Sequence, residues 1–297
     1  MRYSTTRTQE SITGILFMLP SFLGILLFMV VPVLITFSLS FSEYSPGMNG
    51  FSVDFIGLEN FMRLFGDERF KKSLLNSVIY VGGTVPLILV CSTVLAALLN
   101  GFAHYRTVLR TIFFIPSIAS IVSISIVWLV LFNPENGPIN QILTNVFNMQ
   151  NPPTWFVSTT WALPGFIMLL AWQGIGYYMV VLISGLQNIP SDVYEAATID
   201  GANFLQKFFH ITVPLLAPML FFVSMVSTIN VFKIFDPIKI MTEGGPGYAT
   251  SSLVFNIYYS AFQLFDIGYA SAVSMILFAI IFSITTMQWK WQKKALA

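Results

Sequence analysis

Residues 160–186 read TWALPGFIMLLAWQGIGYYMVVLISGL. No charged side chain interrupts the run, and a helix needs about 20 apolar residues to cross the hydrocarbon core of a bilayer. Backbone groups inside that core must bond within their own segment, so the run predicts a transmembrane helix. Applied outward along the chain, the same criterion places spans near 12–40, 74–100, 108–132, 160–186, 212–235 and 268–289. The expected fold class is all-α, a polytopic membrane protein of about six transmembrane helices. Composition points the same way. Of the 297 residues 56% are hydrophobic and 9% charged, with a mean hydropathy of +0.77, whereas a soluble domain carries about a quarter charged residues.

The formal net charge of +1 and the scattered basic residues leave no footprint for a nucleic-acid partner. Cys91 is the only cysteine, which excludes disulfides within the chain and multi-cysteine metal sites. His104 and His210 are solitary, so no metal-ligand cluster is expected. The apolar stretch Ser11 to Ser42 follows Arg2 and Arg7 like a signal peptide, but it far exceeds an h-region of about 7–15 residues and reads as a retained anchor. An even number of spans puts both termini on one side. Arg2 and Arg7, Arg106 and Arg110, and Lys290, Lys293 and Lys294 favour the cytoplasm for that side. Arg63, Arg69, Lys71 and Lys72 in the first loop pull the other way, as does the single Lys207 among Asp192, Glu195 and Asp200. The expected organisation is a cytoplasmic N-terminus over 1–11, a transmembrane domain over 12–289 with a cytoplasmic loop at 187–211, and a cytoplasmic tail over 290–297.

Loop 1, about 43–72, mixes charges around Phe61, Leu64, Phe65 and Phe70, a spacing that predicts a short amphipathic helix at the interface. Loop 5 carries Gly244-Gly245-Pro246-Gly247 and then a charge-free stretch from Tyr248 to Phe265. Ser251, Ser252, Asn256, Ser260 and Gln263 would be costly facing lipid, so the expectation there is an interfacial helix-turn and not a seventh span. Pro20, Pro32, Pro86, Pro116, Gly165, Gly174 and Gly176 fall inside the spans. They fit either close helix packing or kinks that let a cavity open to alternate sides.

The informative connector is Glu195-Ala196-Ala197-Thr198-Ile199-Asp200-Gly201-Ala202 followed by Phe208-Phe209-His210-Ile211-Thr212-Val213-Pro214. Ser191 or Asp192 is expected to cap a helix there, and Gly201 to allow a sharp turn before a second helix enters the membrane near Pro214. A passive connector and a lever gripped by another subunit both fit such a hairpin, and an exposed Glu195 by itself contributes only a favourable helix-dipole contact. The string resembles the "EAA loop" of membrane subunits in binding-protein-dependent ABC importers. Asp200-Gly201-Ala202, preceded by Gly185-Leu186-Gln187-Asn188-Ile189-Pro190, is similar to the carbohydrate-uptake branch that includes maltose and glycerol-phosphate permeases. So are Gly57-Leu58-Glu59-Asn60-Phe61, Phe114-Ile115-Pro116, Gly137-Pro138-Ile139-Asn140, Gly244-Gly245-Pro246, and Tyr258-Tyr259-Ser260-Ala261-Phe262 through Gly268-Tyr269-Ala270-Ser271-Ala272.

The resemblance implies a type I ABC importer permease fold in a bacterial cytoplasmic (inner) membrane. It implies as partners a second homologous permease subunit, a cytoplasmic ABC ATPase dimer, an extracytoplasmic solute-binding protein and a carbohydrate substrate. The loop helix would dock into a groove on the ATPase, with Glu195 pairing a basic residue, Ala196 and Ala197 fitting without bulk, and Asp200 and Gly201 forming the turn. No Gly-x-x-x-x-Gly-Lys-Ser/Thr string occurs, so the chain is expected not to be an enzyme and to hold no cofactor, with ATP and Mg in the partner ATPase.

A sugar path needs amides or hydroxyls beside aromatic rings. Trp172, Gln173, Gly174, Tyr177 and Tyr178 on span 4 and Ser227, Asn230 and Phe232 on span 5 offer that combination, with Asn76 and Tyr80 on span 2 as a secondary choice. Spans 4 and 5 hold the substrate in the maltose-permease relatives, a regional correspondence only. Helix packing is the alternative for each. Lys233 and Asp236 near the outer end of span 5 fit either substrate contact or snorkelling. An ATP-independent secondary transporter or channel is the rival reading. It would require an internal repeat and ion-coupling carboxylates within the spans, and neither is present in the sequence.

Overall fold

A computed structural model describes residues 3–47, 50–101 and 106–295. Arg2, His104 and the last two residues of the 290–297 tail lie outside the described residues. The chain divides into two compact units, Met1–Gly66 with Ile257–Ile276, and Asp67–Asn256 with Leu277–Ala297.

In the first unit, α1 (Tyr3–Ile25), a π turn (Leu26–Val30) and α2 (Val31–Leu39) form the span Thr13–Leu39. Pro32 has no N–H to give the carbonyl of Phe28, and the turn before it widens so that the Val31 N–H reaches the Leu26 carbonyl instead. A hairpin follows, β1 (Ser42–Gly47) against β2 (Gly50–Phe55), with Ser42 opposite Phe55. Then comes α3 (Glu59–Gly66). It is the amphipathic helix expected in loop 1, burying Asn60 and Leu64, although Phe65 faces outward. The buried Asn60 amide donates to the carbonyls of Ser40 and Ser42 at 3.1 and 3.0 Å. Arg63 pairs with Asp266 at 2.7 Å and lies 5.2 Å over the Tyr269 ring. A Cβ at Gly268 would collide with the Ser42 carbonyl. Gly57-Leu58-Glu59-Asn60-Phe61 and Gly268-Tyr269 thus meet in one clamp.

The second unit is built on α4 (Glu68–Gly101) and α8 (Ala162–Leu186), which pack along one another. Its core joins Ile88 and Ala96 of α4, Met179 and Leu182 of α8, and Val223 of α12 (Ala217–Phe232). Small residues set the spacing. A Cβ at Gly83 would come 2.7 Å from Ile167, one at Gly174 3.0 Å from Ile88, and one at Gly176 would overlap the Phe113 carbonyl. The remaining elements are α5 (Arg106–Ile118), α6 (Ile121–Leu131), α7 (Pro138–Asn145), α9 (Ser191–Ile199), α10 (Phe204–Lys207), α11 (Val213–Leu215), α13 (Asp236–Met241), α14 (Leu253–Phe262) and α15 (Ile267–Ala295).

Among the described residues five helices are long and apolar enough to cross a bilayer: Thr13–Leu39, Glu68–Asn100, Ala162–Leu186, Ala217–Met241 and Ile267–Lys293. The span expected over 108–132 is a broken one. Its halves, Thr107–Ile118 and Ile121–Leu131, meet at 96°, because Ser120 leaves the helical region with φ −58° and ψ 127°. Counting that pair as one span gives six. The loop over 133–159 is ordered around Asn140, which accepts from the Trp155 indole at 2.6 Å and donates to the carbonyls of Pro134 and Pro153.

Loop 5 forms the expected turn and short helix, α14, which is too short to be a seventh span. Its polar residues Ser251, Ser252, Asn256 and Ser260 are buried in protein. The stretch from Thr242 to Leu253 is tied to the N-terminal half of α4 by side-chain bonds. Ser73 bonds Ser251 between hydroxyls at 2.8 Å, and the Asn76 amide donates to the Tyr248 and Ser251 carbonyls at 2.9 and 3.0 Å. The Tyr80 hydroxyl donates to the Thr250 carbonyl at 2.9 Å, and Ser77 accepts from the Leu253 N–H at 3.0 Å. Polar residues that would be costly in lipid here pay their way as partners for a loop backbone with no regular ladder.

Candidate functional site

Two regions of the second unit carry the expected functional residues. The first is the hairpin α9–α10. Its first helix starts after Pro190 with no side-chain cap, so the expected capping by Ser191 or Asp192 is not made; Ser191 turns to the Asp192 carboxylate at 3.4 Å. Its end is fully determined. Gly201 sits at φ +79°, the Ala202 N–H bonds the Ala197 carbonyl at 2.9 Å, and the Gly201 N–H bonds the Thr198 carbonyl at 3.1 Å. That is the Schellman arrangement, which closes the last carbonyls of a helix and favours glycine at the left-handed position.

The return helix α10 is capped by Asn203, whose side chain accepts from the Gln206 N–H at 2.9 Å while the Gln206 side chain accepts from the Asn203 N–H at 2.8 Å. Sequence reasoning missed this capping box, although Asn followed by Gln at the third position is its signature. A π turn (Phe208–Thr212) follows, with the Val213 N–H bonding the Phe208 carbonyl ahead of Pro214. It is the same device that precedes Pro32. Two cross-links hold the arms together, Lys207 to the Thr198 hydroxyl at 2.8 Å and the Tyr194 hydroxyl to that of Thr212 at 3.0 Å.

The inward face of the hairpin is thereby spent on itself. Glu195, Ala196, Asp200 and Gly201 are exposed, Ala197 is half-buried, and Ile199 is 87% exposed beside the exposed Leu205. Among the described residues, the Glu195 and Asp200 carboxylates have no hydrogen-bond partner.

The second region is a cavity of about 380 Å³ between α8 and the junction of α12 with α13. Gln173, Gly174, Tyr177, Tyr178, Asn230, Lys233 and Asp236 line it. The Asn230 amide donates to the Tyr178 hydroxyl at 3.3 Å, and the Tyr177 and Tyr178 rings stand edge to face at 5.1 Å. The cavity thus offers aromatic faces, amides and two charges in one place.

The other sequence choices lie elsewhere. Trp172, next to Gln173 but turned about 100° around the helix, leans on Trp128 at 5.8 Å and lines a separate apolar cavity with Cys91 and Phe113. Ser227 is buried, its hydroxyl donating to the Val223 carbonyl at 2.7 Å. Phe232 is likewise buried. Asn76 and Tyr80 hold loop 5, as described above. His210 is exposed, with Nδ1 3.1 Å from the Gln206 carbonyl. Among the described residues no group of three His, Cys, Asp or Glu side chains could hold a metal ion.

Comparison with known proteins is consistent along the whole chain. The YesP probable ABC transporter permease protein of Bacillus subtilis is 36% identical, the match covering 98% of this chain and 93% of the relative. The lactose transport system permease protein LacF of Rhizobium radiobacter is 32% identical, covering 96% and 95%. The trehalose/maltose transport system permease protein MalF of Thermococcus litoralis is 32% identical, covering 97% and 96%. In three dimensions the chain is similar to one in the crystal structure of a bacterial ABC transporter involved in the import of the acidic polysaccharide alginate, with a TM-score of 0.84 at 20% identity over 99% of each chain. Residues 68–290 match the family described as "Binding-protein-dependent transport system inner membrane component". The broken third span, the capped hairpin and the polar cavity are therefore features of a membrane permease subunit, and this chain belongs to the family of binding-protein-dependent transport system inner membrane components.

Proposed function

We propose that the chain forms half of the translocation pathway of an ATP-driven importer for a sugar or oligosaccharide. The observation that carries this reading is the hairpin over 191–212. Its internal bonds are satisfied by its own residues, which leaves Glu195, Ala196, Ile199 and Asp200 free for another protein. A passive connector needs neither two defined caps nor a side chain as apolar as Ile199 held out of contact. The hairpin is the segment through which a cytoplasmic ABC ATPase dimer moves the spans, and ATP and Mg belong to that ATPase.

The sugar assignment draws on the relatives, named for lactose, trehalose/maltose and arabinooligosaccharides, and on the amide and aromatic lining of the cavity at Gln173, Tyr177 and Asn230. A second homologous permease supplies the other half of the path, and an extracytoplasmic binding protein delivers the solute to the loops over 133–159 and 236–266. The N-terminus over 1–11, the loop over 187–211 and the tail over 290–297 face the cytoplasm.

Purification of the chain co-expressed with its genomic neighbours tests the reading. The expected result is copurification of a second permease and an ATPase, with ATP hydrolysis in lipid stimulated by the loaded binding protein. A chain that purifies alone and carries solute without ATP overturns it in favour of a secondary transporter.

A further inference from the structure

We infer that Lys233 and Asp236 set the charge selectivity of the pathway, admitting neutral polyhydroxylated solutes while rejecting acidic and amino sugars. The inference rests on the pathway reading above and adds the solute's charge class. Lys233 is the residue that follows α12 and Asp236 the first of α13, and the short break between the helices brings both to the cavity that Gln173, Tyr177 and Asn230 line. The ion pairs found among the described residues are Arg63–Asp266, Lys72–Glu68 and Lys239–Glu243. Lys233 and Asp236 enter none of them, and neither side chain has a hydrogen-bond partner there. A free ammonium and a free carboxylate at one cavity leave its lining formally neutral.

Each charge has a recognisable role toward a sugar. A carboxylate accepts charge-assisted hydrogen bonds from hydroxyls, and an ammonium donates them. A neutral sugar can use both. A uronate that pairs with Lys233 brings a like charge to Asp236, and an amino sugar that pairs with Asp236 brings one to Lys233, so neither can use both groups as a neutral sugar does.

The test uses the full chain, with its copurified partners, in nanodiscs. Cys91→Ser removes the native thiol and Ser117→Cys places a reporter on the same cavity, at a residue whose hydroxyl only bonds the Phe114 carbonyl. The first readout is the ratio of modification rates by an anionic and a cationic methanethiosulfonate. Asp236→Asn is expected to shift that ratio about threefold to tenfold toward the anionic reagent, and Lys233→Gln by a similar factor toward the cationic one. Lys233→Arg and Asp236→Glu should leave it unmoved, which separates charge from misfolding.

The second readout is protection of the thiol by maltotriose, by a triuronate and by a fully deacetylated chitotriose. Only maltotriose should protect the parent cavity; the triuronate should protect after Asp236→Asn, and the chitotriose after Lys233→Gln. An unmoved rate ratio in either neutralised variant, or equal protection of the parent by all three sugars, overturns the charge inference while leaving the sugar pathway standing. Failure of maltotriose to protect the parent overturns both.

Discussion

The hairpin over 191–212 and the loop over 242–253 are both irregular connections in the same unit, and they differ in whether a neighbouring helix shares in their bonds. The hairpin closes on itself, through the Schellman turn at Gly201, the Asn203 capping box and the cross-links Lys207–Thr198 and Tyr194–Thr212. The loop bonds itself too, through Thr250 to Thr242 and the Gly245 carbonyl, but it also borrows from a neighbour, since Ser73, Asn76, Ser77 and Tyr80 of α4 reach its backbone or hydroxyls. A segment that closes on itself can move as a body and keep its outer face free. One whose bonds come from a spanning helix moves only with that helix. The first design suits a lever, and the second suits a fixed part of the scaffold.

The largest expected effect breaks the comparison at Glu195. Its carboxylate is exposed and has no partner among the described residues, so Glu195→Lys should change the stability of the purified chain by no more than about 0.5 kcal/mol. Reversing a charge at a docking surface costs about 2–5 kcal/mol of association. ATPase retention during purification, and hydrolysis stimulated by the binding protein, should therefore fall at least tenfold. Intact coupling in the Glu195→Lys variant would make the hairpin a connector.

Asn76→Leu should do the reverse. It leaves the Tyr248 and Ser251 carbonyls buried without their donor, at a cost of about 2–4 kcal/mol for two acceptors. The variant should unfold earlier in detergent and expose the 242–253 loop to protease, while the hairpin keeps its ATPase. A smaller effect of the same kind follows for Tyr80→Phe. The ring keeps its edge-to-face contact with Phe166 at 6.1 Å but loses the bond to the Thr250 carbonyl, worth about 1–2 kcal/mol. Equal protease resistance of parent and Tyr80→Phe loops would mean that the clamp is set by packing alone.

Much of this was legible in the sequence, and the boundary of legibility is physical. Charge-free runs locate helices because lipid forbids unpaired backbone, and five spans stand where the runs are. Hydrophobicity carries no information about direction, so the 96° break at Ser120 inside the apolar run 108–132 was not readable. Prolines do announce a disturbance, and Pro32 and Pro214 each follow a π turn, whereas Pro86 lies within the continuous helix α4.

At the cavity, residue type selected Gln173, Gly174, Tyr177 and Asn230, which the fold brings together. It also selected Trp172, Ser227 and Asn76, which it does not. Type alone cannot separate these sets. A serine in a helix satisfies itself on the preceding turn, as Ser227 does on Val223, and an asparagine serves a loop carbonyl as readily as a sugar. Lys233 and Asp236 reach the cavity because the helix breaks between them, a break that Pro237 announces at the start of α13 although its effect on the two side chains was not readable.

The smallest effect sharpens the comparison from inside the hairpin. Asn203→Ala removes the side-chain half of the capping box, the acceptor for the Gln206 N–H, and leaves the backbone N–H at 203 to bond the Gln206 side chain. The expected cost is about 1 kcal/mol, and it should fall locally. Helix α10 is only one turn long, and its other tie is Lys207 to Thr198. Amide exchange should therefore rise over residues 203–207 with no change at 73–80 or 242–253. Coupling should weaken severalfold without loss of the ATPase on purification, because α9 and its Schellman turn are untouched. Exchange that rises in both regions together would show that the hairpin is not the self-contained body its hydrogen bonds describe.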